Sequence, residues 1–316
     1  MDPKSSHFSQ ILREWYSTHK RDLPWREEKI DPYFVVVSEF MLQQTQAPRV
    51  VEKYQEFIQL FPTIEVLAAA SPAMVIKAWS GLGYNRRALL LQRFTQEVCT
   101  KYKGVIPSAR EELIQLPGIG PYSAGSIASF AFNLPEPAID VNVRRIFCRI
   151  FSGRDQGAPQ GRAAEEALHA LLRETIPTGG SRDFHNALMD FGSLVCTRDS
   201  PHCSSCPVQT LCAFSSLYQV KGKGALFVRE KKVEKGVLEN GRFVPHRLFR
   251  GRIIEFVRKN EHCPLQLSDF GKAIKKDFDL SEKDWLLSLC EKLSAEGLVL
   301  FMLHDEVISL SFPGGS

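Results

Sequence analysis

Four of the eight cysteines, Cys196, Cys203, Cys206 and Cys212, fall within seventeen residues at the spacing C-x6-C-x2-C-x5-C. A loop carrying four thiols this close together is a poor disulfide framework in a reducing compartment and a good cage for one metal centre. Zinc usually takes two C-x2–4-C knuckles separated by a longer loop. Here one knuckle, Cys203–Cys206, is flanked by wider arms. That pattern suits an iron–sulfur cluster, with four thiolates around a larger cube, better than it suits one zinc ion, which stays as the alternative. Cys99, Cys148, Cys263 and Cys290 lie in helical or apolar settings and are expected in the core.

At 316 residues the chain is long enough for about two domains and for a core that needs no disulfide staples. No apolar run approaches the roughly 18 residues that cross a bilayer, so no membrane association is expected. The first ten residues, MDPKSSHFSQ, are polar and lack a signal-peptide core, so export is not expected and a cytoplasmic, nucleoid-associated protein is. Charge is informative once divided. Residues 221–260 carry twelve Lys/Arg against four Asp/Glu, whereas residues 261–316 carry five against ten. A basic connector between two nearly balanced domains suits a phosphate backbone; a linker basic by accident is the bland alternative.

Most of residues 1–215 reads as short amphipathic helices. In Val50–Phe61 the apolar residues recur at three and four spacings, Pro62–Thr63 interrupts, and Ile64–Ala70, Pro72–Trp79 and Arg86–Tyr102 follow. Strand alternation is absent until the end of the chain, so this first domain is read as all-α. Residues 216–244 read as a basic linker and 245–316 as a small α+β domain. In that domain Arg247–Lys259 is one helix, Ser268 caps another through Lys276, and Ser281 caps Glu282–Glu296 before Gly297. Two β-prone runs, Leu298–Leu303 and Glu306–Phe312, joined at His304–Asp305, complete the outline of a winged helix. Its third helix is acidic overall, so contact with another protein is as reasonable as contact with DNA.

Leu116-Pro117-Gly118-Ile119-Gly120 joins the helices Arg110–Gln115 and Tyr122–Phe132. Gly118 and Gly120 allow a tight turn that presents backbone N–H groups at a helix N-terminus, a site for an anion such as a DNA phosphate. Asp140 is placed to cap the helix Val141–Phe151. Glu39 lies in Phe34–Leu42, so apolar a stretch that its carboxyl should have a raised pKa and hold a proton near neutrality, as a general acid must. Taken alone, each carboxylate is also consistent with a purely structural role: a helix cap, or a buried Glu satisfied by hydroxyls.

Taken together, Leu23-Pro24-Trp25-Arg26, Ser38–Thr45, Gly81-Leu82-Gly83-Tyr84, the Leu116–Gly120 hairpin, Asp140 and the four cysteines resemble, in order, the MutY adenine DNA glycosylases. These are helix-hairpin-helix glycosylases related to endonuclease III, and the resemblance covers about residues 8–215. It implies a mainly α, helix-hairpin-helix DNA glycosylase fold. A six-helix barrel module, about residues 23–134, would be inserted into a module of residues 1–22 plus 135–215 that carries a 4Fe-4S cluster on Cys196, Cys203, Cys206 and Cys212. It also implies base excision from double-stranded DNA with a mismatched or damaged base, by a monomer. Glu39 matches the general acid, Asp140 the carboxylate that stabilises the cationic sugar, and Tyr122 and Asn142 residues that position them. The endonuclease III branch carries a lysine nucleophile at the Tyr122 position, so little or no strand cleavage is implied. Tyr84 matches an aromatic wedge, Gln44 a residue inserted on the opposite strand, Thr45 a neighbour of the orphan base, and Arg21 and Arg26 the rim of the base pocket.

Departures from that pattern bear on the base. Asp140-Val141-Asn142 stands where the family usually has Asp-Gly-Asn, which narrows the backbone choices or the pocket. His185-Asn186 stands where it has Asn then Gln or Glu, leaving the contact to the adenine edge one methylene short. The usual Nudix-like C-terminal domain is not recognisable. Adenine in a mismatch with guanine or 8-oxoguanine is the first expectation. Thymine, uracil or hypoxanthine, or a non-catalytic iron–sulfur DNA-binding protein, are the alternatives.

Overall fold

The helical periodicity of the sequence is realised throughout its first two thirds. The computed structural model describes residues 2–27, 31–155, 161–221 and 234–314. Its helices begin with α1 (Pro3–His19), α2 (Pro32–Leu42), α3 (Ala47–Leu60), α4 (Ile64–Ala69), α5 (Pro72–Ala78) and α6 (Arg86–Tyr102). They continue with α7 (Arg110–Leu113), α8 (Pro121–Phe132), α9 (Val141–Ser152), α10 (Arg162–Thr175), α11 (Ser181–Leu194) and α12 (Ala213–Lys221). After these come β1 (Gly236–Glu239), β2 (Arg242–Pro245), α13 (His246–Lys259), β3 (Leu265–Gln266), α14 (Leu267–Ile274), α15 (Lys283–Ala295), β4 (Leu300–His304) and β5 (Val307–Ser311). Local chemistry sets the starts: Thr63 accepts a hydrogen bond from the Val66 N–H and Ser71 one from Met74, while Pro72 and Pro121 occupy the first helical position, where no N–H is needed.

The chain divides into two compact units, Met1–Glu39 with Ile106–Glu230, and Phe40–Val105 with Lys231–Ser316. In the first, α1, α9, α10 and α11 bury Phe8, Leu12, Val143, Ile146, Ile150, Leu172, Phe184 and Phe191 together. Phe8 meets the rings of Phe147 and Phe184 edge-on at 5.7 and 6.5 Å. In the second, Ala73, Ile76 and Leu89 of α5 and α6 share one core with Phe249, Ile253, Val257, Leu286, Leu289, Leu293 and Ile308. Polar contacts reinforce it: Arg258 donates to the Ile76 carbonyl (2.8 Å) and to Asn85 Oδ1 (3.0 Å), and Lys77 pairs with Glu261 at 2.6 Å. The residues after 245, expected as a separate module, therefore share their core with part of the expected barrel.

The C-terminal element order, α13-β3-α14-α15-β4-β5, with antiparallel sheet order β3-β5-β4, is a winged helix. Several local expectations need correction. The turn of the wing is Asp305–Glu306, both at positive φ, because His304 pairs with Val307. The third helix starts at Lys283 after a capping box formed by Asp279 and Glu282, not by Ser281. Ser268 lies inside α14 and caps nothing. The stretch read as linker contains the β1–β2 hairpin, closed by Asn240-Gly241 with both residues at positive φ, as a two-residue hairpin turn requires. The first residues of that linker, 216–221, belong to α12, and 222–233, with Lys223, Arg229, Lys231 and Lys232, lie outside the described residues. Of the four remaining cysteines, Cys290 is buried, Cys99 and Cys148 are half-buried, and Cys263 is exposed rather than in the core.

Candidate active site

Glu39 sits one turn from the end of α2, a helix whose other side chains are almost all apolar, and is only 6% exposed. Water is thus largely excluded from its carboxyl, and two hydroxyls from α8 take its place. Ser123 donates to Oε1 at 3.1 Å and Ser126 to Oε2 at 2.7 Å. Burial pushes the carboxyl up to about 7, the serines pull the other way, and the Asp140 charge raises it further. The same burial, with the charges of Glu39 and Asp140, drives the Tyr122 phenol well above its ordinary value, and the Ser126 hydroxyl bonds to it as well. The structure therefore brings Glu39, Tyr122 and Asp140 within electrostatic reach of one another.

Asp140 caps α9, accepting from the N–H groups of Asn142 (2.8 Å) and Val143 (2.7 Å) on Oδ1 and from Asn142 Nδ2 (2.7 Å) on Oδ2. Burial raises its pKa from the usual carboxylate value, while these three donors favour the charged form. Val141, between Asp140 and Asn142, is 68% exposed. Asn142 is fixed in turn by Arg145. Arg145 donates to Asn142 Oδ1 (2.8 Å), to the Gly192 carbonyl (2.7 Å) and to the Cys196 carbonyl (2.8 Å). An unbroken hydrogen-bonded chain runs from the first cysteine to Asp140.

Cys196, Cys203, Cys206 and Cys212 line one cavity with Ile150, Phe191, Val208 and Phe214. Among the described residues, no three His, Cys, Asp or Glu side chains are grouped as ligands of a single ion. Burial and the neighbouring thiols raise Cys203 and Cys212, and push Cys206 up to about 12. Arg149 braces the loop, donating to the Thr197 (2.7 Å) and Arg198 (2.9 Å) carbonyls and approaching Cys196 Sγ at 3.5 Å. Four half-buried thiols lining one cavity, with a guanidinium beside Cys196, form a donor set that an electron-poor centre would satisfy. Ahead of Asp140, Gly118 takes φ 77 and Gly120 leads into α8 without a side-chain cap, so the Leu116–Gly120 hairpin presents the start of that helix by its backbone.

Arg21 and Arg26 are not on a solvated face. Both are held by the buried Asp190, Arg21 at 2.7 Å and Arg26 in a two-pronged contact at 2.8 and 3.0 Å. With Leu23 and Asn186 they line an open cavity. His185, expected in the base pocket, is fully enclosed instead. Its Nδ1 lies 2.9 Å from the Ser181 carbonyl and its Nε2 accepts the Ala138 N–H at 3.2 Å, so it secures the segment two residues before Asp140.

In the second unit, Gln44 and Tyr84 are exposed and both adopt the left-handed backbone, at φ 60 and φ 46. Residues other than glycine hold this conformation only where neighbours enforce it. The enforcing group is Arg87, which the sequence reading did not single out. Its guanidinium donates to the Phe40, Met41 and Gln43 carbonyls at the end of α2, to Thr45 Oγ1, and to the Leu82 and Gly83 carbonyls. Its position on the buried stripe Arg87, Leu91, Phe94, Val98 of α6 was the available signal.

Comparison with known proteins bears on all of this. Residues 37–174 match the HhH-GPD superfamily of base excision DNA repair proteins. The adenine DNA glycosylase of Mycobacterium tuberculosis is 42% identical over 200 residues, covering 62% of this chain and 64% of that protein. The chain thus spans less than two thirds of that relative's length, and 39% of the human adenine DNA glycosylase, to which it is 41% identical. The adenine DNA glycosylase of Buchnera aphidicola subsp. Acyrthosiphon pisum is 31% identical, covering 97% of this chain and 87% of that protein. Among solved structures, a thermostable thymine-DNA glycosylase superposes with TM-score 0.62 at 28% identity, over 68% of this chain and 97% of that one. An endonuclease III–DNA complex shares the fold at TM-score 0.59 and 22% identity, over 70% of this chain and all of that one. Among the described residues no helix is long and apolar enough to cross a membrane.

Proposed function

Because the chain belongs to the adenine DNA glycosylase family of the HhH-GPD superfamily, we propose that it removes a mismatched base, adenine first of all, from duplex DNA by hydrolysing the N-glycosidic bond. The opposite base would be guanine or 8-oxoguanine, and the protein would act as a monomer of base excision repair in the cytoplasm, at the nucleoid. The observation that carries this reading is the pairing of Glu39, held up to about 7, with Asp140, whose charge it feels. With the nucleotide flipped out, protonated Glu39 gives its proton to a ring nitrogen of the base, so the base leaves neutral. As the bond from C1′ breaks, ionised Asp140 stabilises the cationic sugar, and water adds there to leave an abasic site. Asn142 holds Asp140 in place. Tyr122 has no amine with which to form a Schiff base, so strand cleavage is not part of the reaction. Tyr84 would enter the stack, Gln44 the opposite strand, and Thr45 would lie beside the orphan base. Gly118 and Gly120 would hold a phosphate; Arg21, Arg26 and Asn186 would border the base.

Cys196, Cys203, Cys206 and Cys212 would hold a 4Fe-4S cluster. Their spacing and their convergence on one cavity fit it, and Arg149 offsets negative charge there. When bound, the cluster supplies coordination that cross-links the loop, and the Cys196 carbonyl thereby presents a fixed acceptor to Arg145. A brown protein absorbing in the thiolate-to-iron region is the expected result; a colourless zinc protein would overturn the assignment.

A second reading, excision of thymine, is favoured by the likeness to the thymine-DNA glycosylase and by Asn186 at the expected base edge. Single-turnover assays on duplexes carrying adenine, thymine, uracil or hypoxanthine in mismatches separate the two. Release of adenine that Asp140→Asn abolishes, with duplex binding retained, is the expected outcome. Inactivity on every adenine mismatch would overturn adenine, and binding without release of any base would leave a non-catalytic DNA-binding protein.

A further inference from the structure

Within the second unit, a basic feature lies where the winged helix meets α6. Arg86 and Arg93, seven residues apart on α6, line a cavity of about 340 Å³ together with Lys292 of α15. Leu89, Leu90 and Ala295 form its apolar floor, and all three cationic side chains are exposed. The acidic side chain that lines it, Glu296, is already engaged by Arg250. Among the described residues none of Arg86, Arg93 and Lys292 forms an ion pair, whereas Arg144 and Arg149 on α9 and Arg250, Arg252 and Arg258 on α13 all do. Three like charges gathered without counter-charge repel one another and are best satisfied by an anion.

Their frame is fixed rather than loose. Leu89 is buried in the core that α5 and α6 share with the winged helix, and Gly297, just after α15, approaches it closely enough that a Cβ there would lie 3.8 Å from Leu89 Cδ1. Arg258 of α13 holds the Asn85 side chain immediately before Arg86. Position along the chain points to the anion's identity. Arg86 follows the exposed Tyr84 by two residues, and Arg49 and Lys53 of α3 approach the start of the same turn, 4.0 and 3.5 Å from where a Gly81 Cβ would be. Cations gathered around the turn that carries an exposed, backbone-strained aromatic match a polyanion whose bases can stack on that ring and whose phosphates run past it.

We propose that the α6–α15 groove is a seat for the DNA backbone, with Arg86, Arg93 and Lys292 holding phosphates of the duplex that Tyr84 enters, so that the C-terminal winged helix is part of the DNA-binding surface. This rests on the reading of the chain as a DNA glycosylase. It also accounts for how an acidic domain can serve a polyanion: the residue it turns toward α6 is a lysine, and its neighbouring Glu296 is neutralised.

The test uses the full chain and measures binding to a matched duplex and to an adenine–guanine mismatch over a range of salt concentrations. The variants are Lys292→Ala, Arg86→Ala/Arg93→Ala and the triple variant, with Lys272→Ala on α14 as a charge control; all four positions are exposed, and unchanged melting curves establish folding. Each lost phosphate contact should make the plot of log affinity against log salt shallower by about 1, so by about 3 for the triple variant. Both duplexes should weaken by the same factor, and Lys272→Ala should match wild type. A triple variant with the wild-type slope would overturn the proposal while leaving the glycosylase reading intact. A slope altered by Arg86→Ala/Arg93→Ala but not by Lys292→Ala would overturn the role of the winged helix. Wild-type protein that neither binds duplex nor releases a base would overturn the glycosylase reading itself.

Discussion

Glu39 and Asp140 are two carboxylates given different work by their surroundings: one sees two hydroxyls in an apolar helix, the other two backbone N–H groups and an amide. Since Glu39 must be protonated to act and titrates at about 7, the single-turnover rate of base release should fall as pH rises through about 7. Glu39→Gln should be pH-independent in that range and at least roughly 100-fold slower, the usual worth of a general acid. A wild-type rate still rising between neutral and alkaline pH would contradict this assignment. His185 makes a prediction of the opposite sense for stability. Burial lowers it to about 4, opposed in part by the hydrogen bond to the Ser181 carbonyl. An unfolded chain binds that proton near 6.5, so this contribution is complete above 6.5 and is lost as pH falls from there toward about 4, on the order of 3 kcal/mol in all. Denaturant melts of His185→Asn should lose that acid-side slope. His185→Leu should be destabilised by about 1–3 kcal/mol at neutral pH, because the Ala138 N–H is left without its acceptor.

At the level of elements, the close approach of α8 to the segment before Asp140 explains a glycine. A Cβ on Gly125 would lie 2.2 Å from the Pro137 carbonyl oxygen, a contact only backbone movement could relieve. Gly125→Ala should therefore cost about 1–3 kcal/mol and, by shifting Pro137–Asp140, slow base release more than it weakens duplex binding; equal losses in both would argue against this mechanism. Periodicity revealed the helices, and thiol spacing revealed the cysteine loop, because both are local. The apolar run around Glu39 likewise announced a perturbed acid. Its partners did not announce themselves, since Ser123 and Ser126 lie 84 and 87 residues away. Arg145 was hidden because two of its three partners are backbone carbonyls, which leave no mark in a sequence. Asn240-Gly241 did carry a hairpin signal, but strands of only four residues, with Gly236 and Pro245 at their outer ends, gave it no alternation to stand between.

The molecule as a whole is less modular than its charge profile suggests. Ala73, Ile76 and Leu89 are covered by the winged helix, so a chain ending before residue 234 would expose them along with the apolar faces of α5 and α6. Such a truncation should melt lower and aggregate, whereas a self-standing appendage could be removed without effect; comparing the melting temperatures of the two lengths decides it. In the second unit a different economy operates. Gln44 and Tyr84 stand on separate loops, yet the carbonyls beside both converge on the guanidinium of Arg87. Whatever slackens that one knot lets both protruding side chains subside together, so the two fingers that would probe opposite strands are armed or disarmed as a pair.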